Sequence, residues 1–176
     1  MKHNLLMHPD IHATAFIAAG SIVLGSVRIG RECSVLYHAV VRGDTEEIIV
    51  GDESNIQDLC CLHADPGFPC RIGQRVSIGH GAIVHGATIE DEVLIGMRAV
   101  VMNGSHVGQG SIIGAGAVVL EGTTIPPHSL VLGMPGVVRR STTDHDRVRI
   151  LRAAENYRAL VPERRRYQEQ QRHENS

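Results

Sequence analysis

Imidazole binds divalent transition-metal ions as an uncharged donor at neutral pH. Three of the eleven histidines in this 176-residue chain, His63, His80 and His85, share one polar stretch with Asn55, Gln57 and Asp58, downstream of Arg42 and Asp44. Three imidazoles plus an open position is the donor set of a catalytic rather than a structural zinc site. Water in the open position ionises near neutral pH and becomes a nucleophile. Whether the three rings can meet depends on the scaffold that carries them.

That scaffold is written as a six-residue repeat. Stepping by six from Ile11 gives Ile17, Val23, Ile29, Val35 and Val41; a second run is Val50, Ile56 and Leu62, and a third Ile72, Ile78 and Val84. A fourth runs Ile89, Ile95, Val101, Val107, Ile113, Val119, Ile125, Val131 and Val137. Four residues after most of these stands a small residue, such as Ala39, Cys60, Ala82 or Ala117, and the residue directly after is often glycine, as at Gly30, Gly51, Gly73, Gly79 and Gly96. One large and one small inward residue per hexad predicts a coil of short strands, with glycine expected to permit the backbone angles of the corners. Three such faces make a turn of about eighteen residues, and the run predicts about seven turns stacked roughly 4.8 Å apart. β-branched residues suit this narrow interior, and the low aromatic content, three Tyr and two Phe, agrees with it.

The repeat breaks where the polar residues lie. Three extra residues separate Val41 from Val50 and four separate Leu62 from Ile72, while the step from Val84 to Ile89 is one short. With the insertions set aside, Arg42, His63 and His85 stack in one column, each a whole turn from the next. His80 belongs to the preceding corner and stacks over Asp58. A strand face of about five residues, about 16 Å, separates the two corners. One chain therefore does not bring the three histidines around one ion. A second copy placing its His80 corner beside the His63 and His85 corner closes the site, and threefold repetition gives a trimer with a site at each interface.

The segments Arg42-Gly43-Asp44, Asn55-Ile56-Gln57-Asp58 with His63 five residues on, and Ile78-Gly79-His80-Gly81-Ala82-Ile83-Val84-His85-Gly86 resemble the gamma-class carbonic anhydrase family. The likeness extends to Leu132-Gly133-Met134-Pro135 and to the segment carrying Asn156-Tyr157. It implies a left-handed parallel β-helix, against the usual right-handed crossover rule, assembled as a homotrimer. It further implies metal ligands His63 and His85 from one subunit and His80 from the next. By the same resemblance Arg42 and Asp44 form an intersubunit ion pair beside the site, Gln57 hydrogen-bonds the metal-bound water, and Asp58 orients a ligand imidazole. Tyr157 is expected to reach the site, and Asn55 to satisfy turn backbone. The implied reaction is reversible hydration of CO2 to bicarbonate by metal-bound hydroxide. Zinc is the expected ion, with Fe2+, Co2+ and Ni2+ compatible with imidazole ligands.

The chain departs from the family where protons are exported. Thr45 follows Asp44 where the best-studied member has a Glu, and the segment Ala64-Asp65-Pro66-Gly67-Phe68-Pro69-Cys70 has a single carboxylate. Glu46 and Glu47 are the candidates to compensate. A reduced shuttle lowers the expected turnover, because carbonic anhydrase turnover requires fast proton export. Two further classes follow. One is a catalytically weak, metal-bearing trimeric scaffold; the other is a hexapeptide-repeat acyltransferase or thioesterase, which has no need of three converging histidines.

Residues 1–140 are read as the coil and 141–176 as a C-terminal helix with a charged tail. Ser141, Thr142, Thr143 and Asp144 are helix-capping types, and Val148, Leu151, Ala154, Tyr157 and Val161 make one helical stripe that Pro162 interrupts. From Glu163 the charged tail reads as a solvated helix face or a frayed end. Cys33 and Cys60 fall on the small inward position and read as packing residues, while Cys61 and Cys70 are positioned as conceivable soft ligands. With a net charge of −2, nucleic acid is not the expected partner. No signal-like segment and no run of about eighteen apolar residues is present, so a cytoplasmic protein without membrane contact is expected.

Overall fold

A computed structural model describes residues 7–174 as a parallel β-helix of about seven turns followed by helix. Short parallel strands stack in register on three faces. One face runs Phe16–Ile17, Ser34–Val35, Asn55–Ile56, Ser77–Ile78, Leu94–Ile95, Ile112–Ile113 and Ser129–Leu132. The next begins in Ile22–Ile29 and Val40–Val50 and continues through Cys61–His63, Ile83–His85, Val100–Val101 and Val118–Val119. The third carries Asp10–Ile11, the far ends of the two long strands, Cys70–Ile72, Thr88–Ile89, His106–Val107 and Thr124–Ile125. Along these ladders Val41 pairs with Leu62, Leu62 with Val84, Val50 with Ile72, and Ile56 with Ile78. The inward Ile and Val positions from Ile29 to Val131 are at most 4% exposed and form one core with Ala39, Cys60, Ala82, Ala99 and Ala117.

The corners work differently from the sequence expectation. Gly51, Gly79 and Gly96 do not adopt positive φ. A Cβ on Gly51 would stand 2.6 Å from the Gly73 carbonyl carbon, and one on Gly96 2.5 Å from the Ala115 nitrogen. These glycines let stacked corners approach. The left-handed residue comes two positions later, at Glu53 (φ 59°), Gly81 (φ 68°) and Arg98 (φ 57°). Side-chain-bearing residues hold many such positions.

The last hexad position is also corrected. Val137 does not complete another parallel rung, because Val137–Ser141 folds back antiparallel on Ser129–Leu132 and is exposed throughout. Gly133 takes φ 101° and Pro135 has no N–H to continue the ladder, so the chain reverses at Gly133-Met134-Pro135-Gly136.

Two helices follow, α1 (Asp144–Ala159) and α2 (Val161–Glu174). Thr143 caps α1 in a capping box: its hydroxyl accepts from the Asp146 N–H, and the Asp146 carboxylate accepts from the Thr143 N–H. The buried stripe is Asp146, Ile150, Ala154 and Val161, with Leu151 and Tyr157 half-buried. Val148, which the sequence placed on this stripe, is 58% exposed. Asp146, paired with Arg140, takes the inward side of the first turn, and Val148, two residues on, points away from it. Pro162 sits in the first turn of α2, where its missing N–H does no harm, so it ends one helix and starts another. α1 lies against the first face at Asn55–Ile56 and Ser77–Ile78. α2 is tied to the first turn, where Gln168 donates to the Ile17 carbonyl and accepts from the Ala19 N–H. Among the described residues no helix is long and apolar enough to cross a membrane.

Candidate metal centre

The column predicted for Arg42, His63 and His85 is present. His85 pairs in register with His63 on adjacent rungs, and Arg42 directly follows Val41, the partner of Leu62. The two rings lie 5.0 Å apart between centroids, with His63 Nδ1 2.9 Å from His85 Nε2. Each ring is engaged on its other nitrogen. His63 Nε2 lies 3.1 Å from Asp44 Oδ1, and His85 Nδ1 lies 2.9 Å from Asn103 Oδ1. Arg42 Nη1 donates to both oxygens of Asp44, at 2.8 and 2.6 Å, within the same chain.

These contacts fix where hydrogens stand. Asp44 only accepts when ionised, so the His63 hydrogen belongs on Nε2; Asn103 Oδ1 only accepts, so the His85 hydrogen belongs on Nδ1. Two neutral rings then aim lone pairs at each other from His63 Nδ1 and His85 Nε2, a contact that only a cation can make favourable. A second proton on His63 is one such cation. Burial first, and then the Arg42 charge, hold His63 below the usual imidazole range despite Asp44, which disfavours that proton near neutral pH. Burial pushes Asp44 up, but hydrogen bonds from Arg42 and His63 outweigh it and hold the carboxyl below the usual range. The donor set fits a divalent metal ion.

Asp65 comes from the short loop. Its Oδ1 stands 3.9 Å from His85 Nε2, and one donor atom from each of His63, Asp65 and His85 lies within 4.8 Å of the others. The sequence reading counted Asp65 only as the remnant of an acidic loop, and did not single out Asn103. Asn103 lies eighteen residues after His85, but this turn is one residue short, with Val84 paired to Val101, so the repeat count gives no column signal for it. Glu46 accepts from the Glu47 and Gly67 N–H groups, which hold it below the usual range and anchor the loop; Glu47 lies 3.5 Å from Arg71.

His80 stands at the other corner, across the second face, as the spacing required. Asp58 Oδ2 lies 2.8 Å from His80 Nδ1, and the Asp58 Oδ1 accepts from the Tyr37 N–H. Nδ1 thereby carries the hydrogen and Nε2 is left as the donor atom. The Tyr157 hydroxyl lies 3.3 Å from that Nε2, so α1 does bring Tyr157 to a predicted ligand. Gln57 is 6% exposed; its Oε1 accepts from the His80 N–H and its Nε2 donates to Asn55. Asn55 in turn donates to Ser77 Oγ, so a chain of amides fixes the His80 corner.

The cysteines do not join this cluster. Burial pushes the Cys33 and Cys60 thiols up to about 11 and Cys70 to about 12, and Cys70 is fully enclosed in the core. Cys61 points outward on the second face, between Val40 and Ile83.

Residues 86–121 match the model described as bacterial transferase hexapeptide (six repeats), and residues 69–93 the hexapeptide repeat of succinyl-transferase. A Methanocaldococcus jannaschii protein named "Probable carbonic anhydrase" is 55% identical over 130 residues, 74% of this chain and 82% of that one. Gamma carbonic anhydrase 1 of Arabidopsis thaliana mitochondria is 37% identical over 91% of this chain and 62% of its own length. Among solved structures, a hexapeptide transferase family protein from Anaplasma phagocytophilum is 34% identical with TM-score 0.84, covering 88% of this chain and 91% of that one.

Proposed function

Because the chain belongs to the gamma carbonic anhydrase family of hexapeptide-repeat proteins, we propose that it catalyses the reversible hydration of CO2 at metal sites shared between the subunits of a homotrimer. The observation that carries this reading is the 2.9 Å approach of His63 Nδ1 to His85 Nε2, with each ring held at its other nitrogen by an acceptor, Asp44 or Asn103. His63 and His85 of one subunit and His80 of a neighbouring copy would hold the ion, zinc or another divalent metal. A bound divalent ion supplies a nucleophile from water at neutral pH and polarises the carbonyl oxygen.

The chain's own groups do the rest. Asp44 holds the His63 hydrogen on Nε2, and Asp58 does the same for His80 on Nδ1, so each ring presents a lone pair rather than a proton. Arg42 keeps Asp44 ionised and in place. Gln57 fixes the backbone at His80, and the Tyr157 hydroxyl is within hydrogen-bond reach of that ring. The hydration proton must leave, and Asp65 is the loop carboxylate beside the two stacked histidines.

The trimer is supported by what the second face leaves bare. Its outward residues are Ile22, Val40, Cys61, Ile83, Val100 and Val118, an apolar column in which Ile22 is 49% and Ile83 39% exposed. The corner with His80 bounds it on one side and the corner with His63 and His85 on the other. Leu59, Met97 and Leu120 stand exposed on those same two corners. Burying this face around a threefold axis sets each copy's His80 corner against its neighbour's His63 corner.

Stopped-flow CO2 hydration on protein purified without oxygen, with metal content measured on the same sample, is the direct test. The expected result is about one ion per chain and a rate that tracks metal content and vanishes with chelator. About one ion per chain with no rate would refute hydratase action. The likeness to a transferase-family structure supports a second reading, acyl transfer, and saturable acyl-CoA turnover by the metal-free protein would favour it.

A further inference from the structure

We propose that Asn103 is a positioning residue of this metal centre, its side-chain amide fixing the His85 tautomer at one end and holding Asp65 beside the histidines at the other. The inference rests on the reading of His63 and His85 as ligands and adds a residue to it. Asn103 Nδ2 donates to Asp65 Oδ2 at 2.9 Å, and Asn103 Oδ1 lies 2.9 Å from His85 Nδ1. An ionised carboxylate cannot donate, so Asp65 dictates which end of the amide faces it. The opposite end must then be the oxygen, which accepts only from a protonated Nδ1. Asp65 thus sets the amide, and the amide sets the ring. His85 is left with its lone pair on Nε2, directed at His63 and Asp65.

The surroundings are shaped for this amide. Gly86 adopts φ 57°, and a Cβ there would collide with Asn103 Oδ1 and with Phe68 Cβ. A Cβ on Gly104 would meet the Phe68 ring at 3.2 Å. The loop from Ala64 to Cys70 lies down over two glycine corners, with the Phe68 N–H donating to the Asp65 carbonyl and the Gly67 N–H to Glu46. Asp65 is thereby delivered to Asn103. A residue serving only the corner would direct its amide at backbone; this one spans the two groups at the site.

The test compares the full-length wild type with Asn103→Leu and Asn103→Asp. It reads the His85 tautomer by long-range 1H–15N NMR on the metal-free proteins and zinc affinity by chelator competition. Wild type is expected to carry its His85 hydrogen on Nδ1. Asn103→Leu is expected to release that preference and weaken zinc binding about 10- to 100-fold, the usual effect of removing a ligand's outer partner. Asn103→Asp keeps an acceptor for Nδ1 and should retain the tautomer while losing the bond to Asp65. An unchanged tautomer and affinity in Asn103→Leu would overturn the proposal, as would equal losses in both variants, which would point to packing against Phe68. Wild type that binds no zinc would defeat the ligand reading, yet the tautomer comparison would still decide the role of Asn103. Melting temperatures confirm that each variant is folded.

Discussion

Asp58 shows how much one carboxylate does at a corner. Its two oxygens accept from two donors, the His80 ring and the Tyr37 N–H. Asparagine offers one oxygen for both, so Asp58→Asn must abandon either the ring or the backbone. We expect zinc affinity to fall about tenfold or more, measured by chelator competition; affinity equal to wild type would show that His80 is oriented by other means. The placement of the three histidines was legible in the sequence, because the hexad count puts His63 and His85 in one column and His80 at another corner. Asp65 and Asn103 were not, because the turn that joins them is irregular: Val84 pairs with Val101, seventeen residues on, while His85 bonds Asn103, eighteen on. A one-residue contraction removes the column signal that the count relies on. The amide also reaches Asp65 across 38 residues of sequence, through a loop whose path no repeat specifies.

At the scale of the elements, the inward ladder could be read directly, since nearly every rung carries Ile or Val at the same place, Leu62 being the exception, and these residues pack one above another in a narrow interior. The corners were misread, because the left-handed positions carry Glu, Arg, His and Leu as well as glycine and so send no compositional signal. Gly51→Ala should therefore cost about 1–3 kcal/mol, since its Cβ meets the Gly73 carbonyl with nowhere to move. Glu53→Gly, two residues on, relieves about 1–2 kcal/mol of left-handed strain against about 0.5–1 kcal/mol of added backbone freedom, and should be neutral to slightly stabilising. Urea midpoints at fixed protein concentration check both; the reverse order would mean that conformation, not crowding, selects glycine after the inward residue. The start of α1 gives a pH signature. A hydrogen bond from Arg140, then those from the Thr143 N–H and hydroxyl, hold the Asp146 carboxyl far below the usual carboxylate range. The stabilisation is full above the unfolded value of about 3.9 and is lost as pH falls below it toward the folded value. Asp146→Ala should lower stability by about 1 kcal/mol at neutral pH, and the gap to wild type should shrink on acidification below about pH 4. A gap independent of pH would assign the loss to packing.

For the whole molecule, the three faces have three different surroundings: one covered by α1 and α2, one lined outside mostly by polar residues, Asp10, Arg28, Arg71, Thr88, His106 and Thr124 with Ile49 among them, and one apolar and bare between the two halves of the histidine set. That asymmetry was invisible to a count of inward residues, which treats the faces alike; it lies in the outward positions, where Val40, Ile83, Val100 and Val118 alternate with the core. A shared site makes a prediction that no single-chain site can imitate. His63→Ala and His80→Ala trimers should each lose metal, because every interface lacks one ligand. When the two variants are unfolded together in equal amounts and refolded, an interface is intact only if the His80 corner comes from a His63→Ala chain and the His63 corner from a His80→Ala chain. Each condition holds half the time, so roughly a quarter of the sites should regain metal and activity. Recovery near that fraction, seen by metal analysis of the refolded trimer, requires ligands from different subunits. No recovery, together with full metal retention in His80→Ala alone, would place the ion within one chain on His63, His85 and Asp65, and the bare face would then need another explanation.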